Sequence, residues 1–156
     1  MKTFIKAFFS ILILGIIILG ISGCSTEFAK QEYDDAEKIV QMGDHCVESN
    51  SAFKSINDSH SFTASKFNGR KTLWKKSLAK NVDVEIQFEI SISSGYAKIV
   101  HIDSDNNITV LVECSEDNST KQSGTKIISF TSGLNRFKIV AYDCKDISLK
   151  LFFELS

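Results

Sequence analysis

Apolar and polar residues alternate along most of the chain beyond His60, which is the pattern of β-strands with one buried and one exposed face. In the clearest stretch, 82–92, Val, Ile and Phe fill the even positions and polar residues fill the odd ones. Two further strands flank Asn68-Gly69, a pair that favours a hairpin turn. In all, the period predicts strands at 61–67, 71–78, 82–92, 96–102, 108–114, 125–130, 134–142 and 146–155.

This set of short strands predicts a mostly β fold, an antiparallel β-sandwich of jelly-roll type with about eight strands. Aliphatic residues lie on one face of each strand and polar residues on the other, as two layers that share one core require. An internally filled barrel is the alternative. We expect the sandwich domain to span residues 59–156.

The preceding segment, 24–58, shows a helical period instead. Tyr33, Ala36, Val40, Gly43 and Val47 recur three or four positions apart, which predicts one amphipathic helix from about residue 27 to residue 49. Acidic residues are concentrated in its first half, near the positive end of the helix dipole. The apolar stripe favours packing on the chain's own sheet, whereas a spacer above the membrane or a face for a partner helix are the alternatives.

The first 23 residues have the composition of a secretory leader. Lys2 and Lys6 supply positive charge, and an almost unbroken apolar run follows from Phe8 to Leu19. This run is shorter than the ~20 residues that a membrane-spanning helix needs. A cleaved leader is therefore preferred to an uncleaved membrane anchor.

The leader closes with Ile21-Ser22-Gly23-Cys24, which resembles the lipobox of bacterial lipoproteins. The resemblance implies that Cys24 receives a diacylglyceryl group, that the leader is cut after Gly23, and that fatty acyl chains such as palmitate anchor the mature protein. Two or more acyl chains hold a protein firmly on a bilayer. The expected location is the outer side of the bacterial cell membrane, with membrane lipid as the partner of Cys24.

Charge and motifs exclude several classes of function. The chain carries 18 basic and 19 acidic side chains, and loss of Lys2 and Lys6 with the leader shifts the balance further towards acid. Nucleic-acid binders usually show a basic excess, so no nucleic-acid partner is expected. The sequence has no phosphate-binding glycine loop, GxSxG or HExxH motif, and neither an enzyme nor a cofactor is predicted.

The candidate chemistry of the histidines and of one acidic loop is equally weak. His101 alternates with Val100 and Ile102, so it is expected to face solvent or a sheet edge. The segment Asp103–Asn107 begins like a calcium-binding loop, but Ile108 stands where the glycine of that loop belongs. We expect a hairpin turn there and no metal site.

Besides Cys24, the chain has Cys46, Cys114 and Cys144. A disulfide is permitted outside the cytoplasm, and three thiols allow three pairings. Cys114 and Cys144 both lie at the ends of predicted strands and are the preferred pair. Cys46 lies in the predicted helix, where a cysteine can serve as a small buried apolar residue.

A basic run between residues 66 and 80 surrounds the single tryptophan, Trp74. Lys71, Lys75 and Lys76 lie closest to it, so these four residues are the candidate ligand-binding site. The ring could stack on a glycan, while the lysines could attract anionic headgroups, an acidic glycan or a wall polymer. The alternative is a solvated hairpin, balanced by acids of the N-terminal segment, with Trp74 in the core.

The segment Gly133–Val140 resembles the late strands of the jelly-roll domains of bacterial surface proteins. The expected function is non-catalytic binding of a carbohydrate or cell-wall polymer. The alternative is an adaptor or accessory subunit of a membrane protein complex. An exposed aromatic strip on a concave sheet would favour the first, and its absence would count against it, whereas a large apolar patch on the helix or sheet would favour the second.

Overall fold

The computed structural model describes residues 24–155, and the predicted leader, 1–23, lies outside them. Two short helices come first, α1 at Cys24–Tyr33 and α2 at Ala36–Ile39. Eight strands follow and take up most of the chain. They are β1 His45–Ser49, β2 Ala52–Ile56, β3 Ser59–Leu78, β4 Val82–Ser91, β5 Ser94–Ile102, β6 Ile108–Ser115, β7 Lys121–Phe130 and β8 Gly133–Leu155.

All strand pairs are antiparallel, and β3 and β8 pair along nearly their whole length. The first layer has the order β6, β5, first half of β8, second half of β3, β1. The second layer has the order β7, β4, second half of β8, first half of β3, β2. The two longest strands therefore belong to both layers.

The two layers face each other because β3 and β8 bend. Phe137 and Phe153 lie at opposite ends of β8, yet their ring centroids are 5.1 Å apart. Trp74 of the first layer stacks on Phe153 of the second at 4.8 Å. One apolar cluster fills the space between the layers. The predicted antiparallel β-sandwich with eight strands and a preceding helix is confirmed.

The predicted hairpin at Asn68-Gly69 is wrong, because both residues lie inside β3. Gly69 has a φ of +102 and sits at a register shift, with Cys46 on one side and Ala141 on the other. A Cβ at Gly69 would lie 2.1 Å from the carbonyl oxygen of His45. The glycine therefore serves an irregularity between two close strands and not a turn.

The predicted strands 134–142 and 146–155 are likewise one strand, β8. Asp143 and Asp146 have φ values of 51 and 48 in the region between them. Aspartate tolerates this left-handed conformation better than most residues. The polar segment between the two apolar patterns thus bends the strand from one layer into the other without ending it.

The predicted helix at 27–49 is too long. Helix α1 ends at Tyr33, and α2 begins after Asp35, whose side chain accepts a hydrogen bond from the N–H of Lys38 at 3.1 Å. Residues 45–49 form β1, which pairs with 66–70 of β3. The spacing of their apolar residues fits a helix, but these residues form a strand because they pair with the edge of the sheet. Strand β2, exposed along its whole length, was not predicted.

The helices lie on the outer face of the first layer. Ala29, Tyr33 and Ile39 are buried, and the last two pack against aliphatic residues of β5 and β8. Packing on the chain's own sheet, expected from the apolar stripe, is therefore what the structure shows. No helix within residues 24–155 is long and apolar enough to cross a membrane.

Candidate ligand-binding site

Trp74 belongs to the core. Only 8% of the residue is exposed, and its ring lies among Phe153, Phe130 and Phe137 at centroid distances of 4.8, 5.5 and 6.0 Å. A stacking platform for a sugar needs an open ring face, which these contacts do not leave. Trp74 is therefore a core residue, as the alternative interpretation of the basic run held.

The three lysines near Trp74 do not form one cluster. The ammonium group of Lys71 contacts both carboxylate oxygens of Glu48, at 2.7 and 2.9 Å. Lys75 and Lys76 are exposed, and of these only Lys75 lines a cleft together with Trp74. Part of the basic run is thus balanced by an acid of the N-terminal segment, as the alternative interpretation proposed.

The outer face of the second layer presents an ordered row of side chains instead. Phe152 of β8 lies directly opposite Gln87 of β4 on one side and Ser59 of β3 on the other, and Thr125 of β7 lies opposite Gln87. Directly opposite residues of antiparallel strands point to the same face. A shallow cleft of about 440 Å³ follows this row. We name this surface the polar face, defined by Ser59, Gln87, Glu89, Ser123, Thr125, Lys150 and Phe152.

Phe152 is the aromatic side chain of the polar face. Leu151 and Phe153 turn into the core, so the strand period turns Phe152 outward, where 43% of it is exposed. The alternation of Leu149, Leu151 and Phe153 in the sequence already predicts a buried face for those residues. The same alternation would have identified Phe152 as an outward-facing aromatic residue.

A second row of the polar face carries one acidic side chain between two basic ones. Nζ of Lys150 lies 3.3 Å from Oε2 of Glu89, and Nζ of Lys121 lies 3.9 Å from Oε1 of the same residue. Ser123 lies opposite Glu89, and Ser61 lies opposite Lys150. The face therefore offers hydroxyl, amide and ionised groups without a strong excess of either charge.

The three histidines have separate environments and do not converge on one site. His101 was expected to face solvent or a sheet edge, but it is buried in the core, where Phe130 and Phe137 stack against its ring at 4.7 and 5.0 Å. Its Nε2 lies 3.0 Å from Oδ1 of Asn135, and burial lowers its pKa. His101 therefore fills core volume, because β7 and the start of β8 cover that face of β5.

Asp103 organises the acidic loop as a turn. Its Oδ1 accepts hydrogen bonds from the N–H groups of Asp105 at 2.9 Å and Asn107 at 2.8 Å. Burial raises the pKa of Asp103, but the side-chain amide of Asn107 and these two backbone N–H groups lower it, and the pKa lies below its usual value. The loop is a hairpin turn between β5 and β6. Within the part of the chain that the structure describes, no group of three or more His, Cys, Asp or Glu side chains could hold a metal ion.

Cys46, Cys114 and Cys144 are free thiols in the structure. Cys46 lies in β1 and not in a helix, and Cys114 and Cys144 are both buried between the layers. Burial raises the pKa of the Cys144 thiol to about 12, with a further contribution from the nearby Cys114. The disulfide between Cys114 and Cys144 is not formed here and stays a prediction. The side chain of Cys24 lies outside the described part.

No model of a known protein family matches the chain, and no curated protein matches it. Among solved structures, an exo-β-1,3-galactanase from Phanerochaete chrysosporium with β-1,3-galactotriose is similar to this chain, with 10% sequence identity and a TM-score of 0.41. The match covers 72% of this chain and 27% of the galactanase chain. CBM35 from Paenibacillus barcinonensis matches over 73% and 99%, with 13% identity and a TM-score of 0.38. The module CBM6cm-2 from Cellvibrio mixtus lichenase 5A, in complex with cellotriose, matches over 78% and 94%, with 10% identity and a TM-score of 0.34. These TM-scores are too low to bear on fold or function.

Proposed function

We propose that this protein is a non-catalytic binding module that takes a carbohydrate or a cell-wall polymer on the polar face. The observation that carries the proposal is the position of Phe152, an exposed aromatic ring flanked on the neighbouring strands by Gln87 and Ser59. A sugar ring has an apolar face and a rim of hydroxyl groups. An open aromatic side chain with polar neighbours complements both parts.

The shape of the polar face suits a chain better than a single small molecule. Five strands contribute to the second layer, and strands lie about 4.8 Å apart, so the face is about 19 Å across from β2 to β7. Its hydrogen-bonding groups continue from Ser59 to Thr125 along one row. A polymer lying across the strands would meet a hydroxyl, an aromatic ring, an amide and a second hydroxyl in turn.

A protein partner fits the polar face less well. The exposed apolar residues of the second layer include Ile56, Ile127 and Phe152, but polar residues separate them. Ser59 lies between Ile56 and Phe152 in the same row. Single exposed apolar residues are normal on protein surfaces, whereas a partner protein needs a continuous patch. An adaptor role in a membrane complex is therefore our second choice.

The proposed location is the outer surface of the cell membrane, with Cys24 as the lipid-bearing residue. The lipobox supports this proposal, and α1 begins at Cys24 itself. The acyl chains would therefore attach to the helix itself, at the first residue that the structure describes.

The test is a binding screen of the full-length chain, purified in detergent, against soluble glycans and wall polymers. We expect saturable binding to at least one polymer, and a loss of affinity of about tenfold or more in Phe152→Ala, as for other central aromatic anchors. Val110→Ala is the matched control, because Val110 is also an exposed apolar residue, at 45%, but lies in β6 of the first layer, outside both the polar face and the other clefts. Absence of binding to every polymer, or equal binding by both variants, would refute the proposal.

A further inference from the structure

A second cleft, of about 530 Å³, opens at the edge of the first layer. Strand β1 pairs with β3 only as far as Arg70, so 71–78 of β3 has β8 on one side and no other described strand on the other. The carboxylate of Asp44 caps this free edge by accepting hydrogen bonds from the N–H and the hydroxyl of Thr72, at 2.8 and 2.7 Å. We name the opening the edge cleft; its lining includes Met42, Phe53, His60, Trp74, Lys75 and Arg136.

Arg136 is a buried cation without a counter-ion in the described chain. Only 3% of it is exposed, and it makes no salt bridge to any residue of 24–155. Its two terminal nitrogens donate to neutral acceptors, the carbonyl of Val40 and Oδ1 of Asn106, both at 2.7 Å. Its Nε has no described hydrogen-bond partner. Guanidinium stays protonated in proteins, so this charge is buried at a cost that a bound anion would offset.

Lys75 adds a second positive charge at the same place. It lies directly opposite Arg136 in the pairing of β3 with β8, and like charges in such pairs repel. Lys75 is exposed and makes no salt bridge within the described residues. Asp44, the acidic residue in the lining, is already engaged by Thr72 and lies 3.9 Å from Nζ of Lys138. The edge cleft is therefore short of negative charge.

His60 lines the edge cleft, and its two ring nitrogens are available for hydrogen bonds to a ligand. It is 6% exposed, and neither ring nitrogen has a partner among the described residues. The ring packs edge-on against Phe153, with centroids 5.5 Å apart. A neutral imidazole offers one N–H donor and one acceptor. A buried polar group left unpaired is rare in folded proteins, and a ligand is one explanation for it.

We propose that the edge cleft binds an anionic oxygen group, carboxylate or phosphate, through Arg136 and Lys75, with His60 as a further hydrogen-bond donor. Charge-assisted hydrogen bonds of this kind are short and strong. Met42 and Phe53, which are exposed and line the edge cleft, supply apolar surface for the rest of the ligand. The site is separate from the polar face and does not depend on carbohydrate binding there.

Trp74 is the only tryptophan of the chain and lines the edge cleft, so its fluorescence reports on occupancy. The full-length chain in detergent is titrated with sodium phosphate and with sodium glucuronate, at an ionic strength held constant with sodium chloride. Glucose is the neutral counterpart of glucuronate. We expect a saturable change with an anion and none with glucose. A response to phosphate alone supports a phosphate ligand, and a response to glucuronate alone supports a carboxylate ligand.

The variants separate this site from the polar face. Lys75→Gln should weaken anion binding by about tenfold, the usual effect of one charged hydrogen bond. Lys76→Gln is the matched control, because Lys76 is the next residue, is exposed and does not line the cleft. Phe152→Ala should leave the titration unchanged. Arg136→Gln should abolish anion binding. If that variant does not fold, the charge reversal Lys75→Glu replaces it and should likewise abolish anion binding.

Three results would overturn the proposal. The first is no saturable change with either anion. The second is an equal response to glucose, and the third is equal anion affinity in Lys75→Gln and Lys76→Gln. None of these results bears on polymer binding at the polar face, which Phe152→Ala tests on its own.

Discussion

The hydroxyl group of Tyr33 donates a hydrogen bond to Oε1 of Glu113 at 2.6 Å and so connects α1 to β6, 80 positions later in the chain. The ring packs edge-on against Tyr142 at 5.0 Å, and Nζ of Lys98 lies 4.0 Å from its centroid. Burial and the Glu113 carboxylate raise the pKa of Tyr33 far above its ordinary value. The contact therefore holds the N-terminal segment on the first layer.

Tyr33→Phe should lower the free energy of unfolding by about 1.5–3 kcal/mol, the contribution of a hydrogen bond to a charged group. Urea unfolding measures the change. Glu113→Gln and the double variant complete a cycle, in which the coupling between Tyr33 and Glu113 should account for most of the loss. Strictly additive effects would show that the hydrogen bond contributes nothing.

Because Lys138 is buried, we expect an unusual dependence of the free energy of unfolding on pH. Its ammonium group is buried and donates to the carbonyl of Gly43 at 3.2 Å, and burial lowers its pKa from 10.5 to about 8. Between these values the unfolded chain binds the proton and the folded chain releases it. The free energy of unfolding should therefore rise with pH from about 8 to 10.5, and the destabilising contribution is fully present below that range.

Lys138→Met provides the comparison, because methionine is apolar and of similar length. Urea unfolding at about pH 7.5 and at about pH 9.5 should show a rise in stability for the native chain that the variant lacks. Other titrating groups contribute equally to both proteins. The same slope in both would show that Lys138 does not titrate in this range.

We expect that substitution of His60 by an apolar residue increases the free energy of unfolding. Both ring nitrogens lack described partners, so His60→Leu should raise the free energy of unfolding at neutral pH by about 1 kcal/mol. Burial lowers the pKa of His60 below 6.5, so the unfolded chain takes up a proton first as the pH falls. The native chain therefore loses stability below about pH 6.5, and His60→Leu should lose less.

His101→Leu is the matched contrast for His60→Leu. His101 is also a buried histidine, but its Nε2 lies 3.0 Å from Oδ1 of Asn135. Removal of the imidazole leaves Asn135 with a buried group unpaired, so this variant should be less stable than the native chain. Thermal unfolding of the two variants side by side is sufficient, and a stabilising His101→Leu would contradict the argument.

The alternation of residues in the sequence predicted which side chains share a face, but not whether that face is covered. It placed Val84, Ile86 and Ile90 in the core, where the structure has them. In β8 the same alternation puts Arg136 and Lys138 on the polar side, yet both are buried because the N-terminal segment lies over them. Coverage depends on contacts between distant segments, which a local period does not contain.

The sequence pattern also did not distinguish a turn between two strands from an irregularity within one continuous strand. Asn68-Gly69 is typical of a hairpin, but the close approach of His45 makes the glycine necessary inside a continuous strand. The candidate site shows the same limit. Composition pointed to Trp74, whereas the exposed aromatic residue of the polar face is Phe152, and only the position of each ring relative to the two layers distinguishes them.

The position of α1 has a geometric consequence for anchoring. It begins at Cys24 and packs on the outer face of the first layer, while the polar face lies on the far side of the second. If Cys24 is acylated, the acyl chains attach directly to α1, and the sandwich itself sets the distance between the polar face and the bilayer. Packed sheets are about 10 Å apart. The polar face would therefore point away from the bilayer, at a distance equal to the thickness of one small domain. Its reach would be limited to polymers that lie directly above the membrane.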